Sequence, residues 1–365
     1  MRDISLGKLT AVFRNWARRV SPRLFVQCLV FVPLFVATVS LFELPVEYYS
    51  GYALEHRFDL STQSLDSWFG DWGKGLALNM FLAIFLVWGL YWIIRRSPHH
   101  WWFYSWLASI PVALSLIFVE PLVVAPLFFQ FTRLDRNQPV LTSRIEAMLG
   151  QAGLEIPASR IFEMGASTKT RAINAYVTGI GASKRVVIYD NTTQKLDGDA
   201  TLLVLGHETG HYVLGHILKG FVLFEVGALA ALFLGFIAFR RIVRSLGFRT
   251  GIEGEGDVAS LPIMLLIITV LGFLVSPISC ALSRYFEHQA DQFGLEVTYG
   301  VVADPNVAAV RSFQILGEED LEDPDPSPLI KLWLYTHPPL DERIRFAASY
   351  KPWSEGKPLE FVRPR

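Results

Sequence analysis

Charge is scarce in this chain. Only 18% of its 365 residues are Asp, Glu, Lys or Arg, against about a quarter in an ordinary soluble domain. The 33 basic and 34 acidic residues leave a net charge of −1, which gives no argument for nucleic-acid binding, and none is expected. Cysteine is nearly absent. Cys28 and Cys280 both sit in apolar segments, fit no zinc-ligand spacing and make no disulfide framework, so packing is their expected role. No internal repeat is evident. Apolar sequence takes the place of charge: 52% of the residues, at a mean hydropathy of +0.34. It is gathered into long runs, which marks a membrane protein rather than an unusually apolar soluble one.

A membrane-spanning helix needs about 20 mostly apolar residues. Leu24 to Leu44, Gly75 to Ile94, Trp101 to Phe131, Phe221 to Phe239 and Leu261 to Leu282 qualify, so about five spans are expected. The third stretch is longer than a vertical helix requires and holds Pro111, Pro121 and Pro126. That predicts a kinked helix leaving the bilayer; a re-entrant pair is the alternative and would change the parity. The first span follows Arg14, Arg18, Arg19 and Arg23. Its length, and the lack of a small-x-small cleavage site, predict an uncleaved anchor rather than a signal peptide. The loop after it is acid-rich (Glu43, Glu47, Glu55, Asp59, Asp66, Asp71). With five spans, Arg95-Arg96 and Arg240, Arg241, Arg244 and Arg249 fall on the same side as the basic N-terminus. By the positive-inside rule the polar segments then lie on the exoplasmic side.

The expected organisation is a basic segment (1–23), three spans (24–131), a first polar portion (132–220), two further spans (221–282) and a second polar portion (283–365). In the first polar portion the pattern predicts a helix from Val140 to Leu149 and strands at Arg160–Met164, Ile173–Ile180 and Arg185–Tyr189. The last two form a hairpin around Gly179-Ile180-Gly181. A long helix is expected to run from about Asp199 into the fourth span, with Asp197 as its N-cap. The second portion predicts a helix from Ser283 to about Thr298, another near Ala308, an acidic Pro-rich loop from Glu318 to Pro328, and a last helix after Pro338.

The chemistry is concentrated in His207-Glu208-Thr209-Gly210-His211. Residues four apart share one helix face, so both imidazoles can bind one zinc ion with Glu208 beside it as general base. A catalytic zinc site wants three protein ligands and one open position. His216 follows His211 by five residues and, on a continuous helix, points about 140° away from it, so it reads as a helix-face or supporting histidine. Glu287 and Asp291, directly after the fifth span, are four apart. One of these carboxylates can bind zinc, and the other can accept the free N–H of a ligand histidine.

With these residues the chain resembles the type I CaaX prenyl proteases, integral-membrane gluzincin zinc metalloproteases that process prenylated proteins in eukaryotes. Besides the pentad with its trailing Gly215-His216, the resemblance is carried by four further segments: Pro126 to Thr132, Asn174 to Gly179, Ser283 to Asp291, and Thr336-His337-Pro338-Pro339 with Arg343. It implies a mainly α, multi-pass membrane bundle with a small α+β zincin-like catalytic cap, and one bound Zn2+. His207, His211 and Glu287 would hold the metal, with Asp291 supporting a ligand histidine. Glu208 would activate the attacking water and pass its proton to the leaving amine. His337 would donate to the developing oxyanion. Asn174 would anchor substrate backbone beside an exposed strand edge. Arg343 would meet a substrate carboxylate or brace the cap. The expected partners are polypeptide substrates, membrane-associated, unfolded or lipidated, and the lipid bilayer. Eukaryotic members have seven spans, so an intramembrane chamber of theirs would here be incomplete or built from two copies. Their polar domains face the cytosol, opposite to the side the charge bias indicates.

Two other classes compete. A zinc-stabilised membrane chaperone or scaffold would need no general base and would close its site with a fourth ligand, so Glu208 argues against it. A transporter would carry ionisable groups along its spans; Glu120 and Glu225 are the candidates, and two isolated carboxylates make a weak ion path.

Overall fold

The computed structural model describes residues 6–179 and 181–362. Its longer helices are α1 (Leu6–Val20), α2 (Leu24–Tyr48), α3 (Leu65–Arg96), α4 (Trp101–Val119), α5 (Pro139–Gln151), α6 (Gly198–Val213), α7 (His216–Thr250), α8 (Leu261–Thr298), α9 (Pro305–Glu319), α10 (Pro328–Leu334) and α11 (Leu340–Ser349). The strands are β1 (Phe131–Arg133), β2 (Ile161–Met164), β3 (Ala175–Thr178) and β4 (Arg185–Tyr189). Two compact units are formed. The first comprises Met1–Leu54, Ser64–Leu116 and Val222–Val275, and the second Glu55–Gln63, Ile117–Phe221 and Ser276–Arg365.

Five helices among the described residues are long and apolar enough to cross a membrane: Leu24–Arg57, Leu65–Arg96, Trp101–Phe128, His216–Gly247 and Val258–Thr298. In each, at most a third of the most apolar window is buried inside the protein, which leaves the rest to face lipid. The third apolar stretch is one helix and not a re-entrant pair. Its regular α-helical ladder is interrupted at Pro121, where α4 passes into a π-helical turn, Glu120–Val124, and then one helical turn, Ala125–Phe128. The proline ring and its missing N–H prevent the regular ladder from continuing there.

The first unit packs Phe31, Tyr91, Ile94, Trp101, Phe239 and Met264 into one apolar core. α1 rests on this core through Phe13 and Ala17. Arg14 pairs with the buried Asp257 and donates to the Gly251 carbonyl at 3.1 Å. Glu225, on α7, accepts a hydrogen bond from Ser109 Oγ on α4 at 3.1 Å.

The second unit is α+β. Its sheet has the order β1-β2-β4-β3, with β2 and β4 parallel and the outer pairs antiparallel. The β3–β4 hairpin pairs Ala175 with Ile188, as its flanking β-branched residues predict; Ile180, at its tip, lies outside the described residues. Strand β1 is not anticipated in the sequence, because Phe131 reads as the end of the third span. Ile145, Met148, Ile161, Val186, Leu202 and Phe293 form a core between the sheet and helices α5, α6 and α8.

Two of the expected helix boundaries are corrected. The helix through the pentad does not continue into the fourth span: α6 ends at Val213 and α7 restarts at His216. Gly215 separates them at φ +69°, a left-handed conformation that glycine adopts without a Cβ clash and that commonly closes a helix. Conversely, the fifth span and the helix expected from Ser283 are one 38-residue helix, α8, which passes through Pro277. No glycine or proline lies between Pro277 and Gly294 to break it. Asp197 caps α6 as expected, accepting from the Ala200 N–H at 2.8 Å.

Candidate active site

Helices α6 and α8 approach at backbone distance because both carry glycine where they touch. A Cβ on Gly294 would stand 3.0 Å from the His207 nitrogen, and one on Gly210 would stand 2.9 Å from the Phe293 Cβ. This contact brings the pentad against Glu287 and Asp291. His207 Nε2 lies 3.1 Å from His211 Nε2 and 3.1 Å from Glu287 Oε2, and His211 Nε2 lies 3.5 Å from Glu287 Oε1. One ligand atom from each of the three falls within 4.8 Å of the others.

Two imidazole nitrogens at that separation, each with a lone pair, repel unless a cation or proton stands between them. Glu287 Oε2 is buried and makes no hydrogen bond, although His207 Nε2 is close and His337 Nε2 is 3.2 Å away. Two imidazole nitrogens and one carboxylate, converging with no fourth protein ligand among the described residues, fit a divalent metal with an open position.

The groups behind this triad set its protonation. His207 Nδ1 lies 2.8 Å from Asp291 Oδ1. Arg343 grips the same carboxylate with Nε to Oδ2 at 2.9 Å and Nη2 to Oδ1 at 2.7 Å, and its guanidinium stacks 4.2 Å from the Phe313 ring. Asp291 therefore accepts from His207 Nδ1–H and leaves Nε2 free to ligate. Burial pulls the His207 imidazole down, but the carboxylates of Asp291 and Glu287 outweigh it and hold the pKa up at about 10, so a metal bound there would displace a proton from Nε2. Burial also pushes the Glu208 carboxyl above its ordinary range, with His207 and His211 opposing the shift.

His216 stands otherwise than helix geometry predicts. Its Nδ1 lies 3.0 Å from His211 Nδ1, its Nε2 lies 3.2 Å from Gln289 Oε1, and its ring stacks on Phe286 at 4.6 Å. The 140° offset holds only for an unbroken helix; the turn at Gly215 swings His216 back over the last turn of α6. If His211 Nε2 is to ligate, Nδ1–H donates to His216 Nδ1, whose Nε2–H then donates to Gln289. One neutral proton arrangement satisfies all three.

A cavity of about 250 Å³ opens on these groups, lined by Asn174, His207, Glu208, Phe313, His337 and Arg343 among others. Asn174 immediately precedes β3, which among the described residues has a neighbouring strand on one side only. Its carbonyl accepts from Tyr189 N–H at 2.9 Å, and its Oδ1 accepts from Ala175 N–H at 2.8 Å. His337 sits between α10 and α11 with its side chain half exposed. The sequence left Arg343 between substrate carboxylate and brace; here it is engaged with Asp291 and Phe313 while still lining the cavity. Gln289, Phe313, Asp320 and Glu322 also border this region and went unnoticed in the sequence. The last two belong to the acidic stretch after α9, whose only local signal was its charge.

A family model for Peptidase family M48 matches residues 135–351, the stretch that contributes every one of these side chains. The chain belongs to Peptidase family M48. A second family model, CAAX prenyl protease N-terminal, five membrane helices, matches residues 4–130. The uncharacterized metalloprotease YhfN of Bacillus subtilis is 36% identical over 334 residues, covering 92% of this chain and 76% of that protein. The CAAX prenyl protease 1 homolog of Arabidopsis thaliana is 30% identical over 307 residues, covering 83% and 69%. The crystal structure of S. mikatae Ste24p shares the fold, with a TM-score of 0.78 at 24% identity over 93% of this chain and 80% of that one. This M48 chain is thus an integral-membrane metalloendopeptidase acting on polypeptides, and the scaffold reading is not favoured.

Proposed function

We propose that this M48 peptidase uses one zinc ion to cut membrane-associated polypeptides, lipidated CaaX-type chains among them. The observation that carries the reading is the convergence of His207, His211 and Glu287 on one point, with Glu208 beside it in the same cavity. Zinc held there would lower the pKa of a water molecule and polarise the scissile carbonyl. Glu208 takes the proton of the attacking water on its carboxylate and returns it to the leaving amine; its raised pKa brings it nearer the working range of a general base. His337 Nε2–H donates to the developing oxyanion. The free edge of β3 and Asn174 receive the substrate backbone as an added strand. Arg343 and Asp291 hold His207 in the tautomer that ligates.

His216 is assigned the same positioning role for His211. Substituting His216→Ala is expected to weaken zinc binding about 10- to 100-fold, measured by competition with a chromogenic chelator, and His216→Asn to recover part of it. Unchanged affinity in His216→Ala would remove His216 from the site.

The substrate reading is tested with the full chain in lipid nanodiscs, offered casein, a farnesylated C-terminal peptide and its unprenylated counterpart. Faster cleavage of the farnesylated peptide supports lipidated substrates. Equal cleavage of the two peptides, with casein cut as well, would restrict the activity to unfolded chains in general.

A further inference from the structure

Helix α10, Pro328–Leu334, follows the acidic Pro-rich stretch and leads within three residues to His337. It is short, yet carries Leu329, Ile330, Leu332 and Leu334, all exposed, the first and last at 71% and 70%. At about 100° per residue, these four and Trp333 cover an arc of roughly 200°, with Lys331 on the opposite side. So dense an apolar surface on so short an element is not explained by the unit's own packing.

What lies beneath α10 indicates what lies over it. The Trp333 carbonyl accepts from Ser276 Oγ at 2.9 Å and from Cys280 Sγ at 3.4 Å, and Arg284 Nη1 donates to the carbonyls of Lys331 at 2.8 Å and Tyr335 at 2.7 Å. Ser276 and Cys280 belong to the fifth apolar stretch, which ends at Leu282. With a rise of about 1.5 Å per residue, they lie roughly 9 and 3 Å inside that end. Ile278, between them, is exposed on a helix long and apolar enough to cross a membrane. Polar groups of the span therefore bind the backbone of α10 at the depth where in-plane amphipathic helices settle, about 5–10 Å into the boundary between headgroups and acyl chains. Lys331 turns instead to Glu342, at 2.5 Å.

We infer that α10 is a monotopic element embedded in the outer part of the bilayer, covered by acyl chains, and that it fixes the rim of the catalytic cleft at the membrane surface. The inference does not depend on the peptidase reading.

The test uses the full chain with Cys28→Ser and Cys280→Ser, the latter keeping a donor for the Trp333 carbonyl. A bimane dye is attached at Leu329→Cys, Leu334→Cys or, as an exposed reference on α5, Val140→Cys. Each protein is placed in nanodiscs with lipids spin-labelled near the headgroup. Both α10 dyes are expected to emit at shorter wavelength than the Val140 dye and to be quenched several-fold more strongly. The two positions report independently, so misfolding of one variant leaves the other. Quenching no greater than at Val140 would overturn the inference. Blue-shifted emission without quenching would also overturn it, because a second copy or another protein surface, rather than lipid, would then cover the helix.

Discussion

Glu208→Gln is expected to abolish measurable peptide cleavage while leaving the metal content unchanged. Glu208 lines the cavity beside His207 but, among the described residues, belongs to no group of converging ligand atoms. An amide there occupies the same volume and cannot accept the water's proton. General acid–base groups typically contribute about 10²–10⁴-fold, so residual turnover of at most one percent is expected. The check is cleavage rate beside metal per chain, measured on the same preparation. Loss of metal together with activity would show that Glu208 holds the site together, and the general-base assignment would fall.

Asp291→Ala has the largest effect expected on stability. This carboxylate is buried, receives His207 Nδ1–H, and is held at two points by Arg343. Removing it strips the buried Arg343 guanidinium of its bidentate partner, and breaking a buried pair in this way costs about 3–5 kcal/mol. It also frees the His207 ring to turn, for which a 10- to 100-fold loss in metal affinity is usual. The two consequences separate in the double variant Asp291→Ala/Arg343→Met. Stability, followed by thermal unfolding in detergent, should largely return because no unpaired charge remains, whereas zinc affinity should stay low. If metal binding returned along with stability, Asp291 would be acting on the fold alone and not on His207.

The readings that held rest on local, periodic signals. Apolar runs of span length need no tertiary information to be seen. Residues four apart on a helix share a face whatever packs against them, so His207 with His211, and Glu287 with Asp291, were visible as pairs. What escaped depended on breaks and on partners distant in sequence. A glycine within an apolar helical pattern is compatible with an unbroken helix, so the turn at Gly215, and with it the position of His216, could not be read. Strand β1 follows aromatic residues that serve equally as the end of a span. Helix α10 is too short to show periodicity. The bidentate grip of Arg343 on Asp291 joins residues 52 positions apart, and neither residue type announces the other. Gly210 and Gly294 belong to no local pattern that marks them, yet each sits where a side chain would crowd the contact between α6 and α8.

The central claim is the ligand set, and the most direct test is metal per chain, by mass spectrometry, in the purified wild type and in Glu287→Ala. A catalytic zinc site holds its ion with three protein ligands, and removal of one leaves the two histidines alone. The wild type should carry about one zinc per chain, and the variant well under half of that, with its fold intact by circular dichroism. Equal zinc in the two proteins would contradict the assignment of Glu287, and no zinc in either would contradict the assignment of the site.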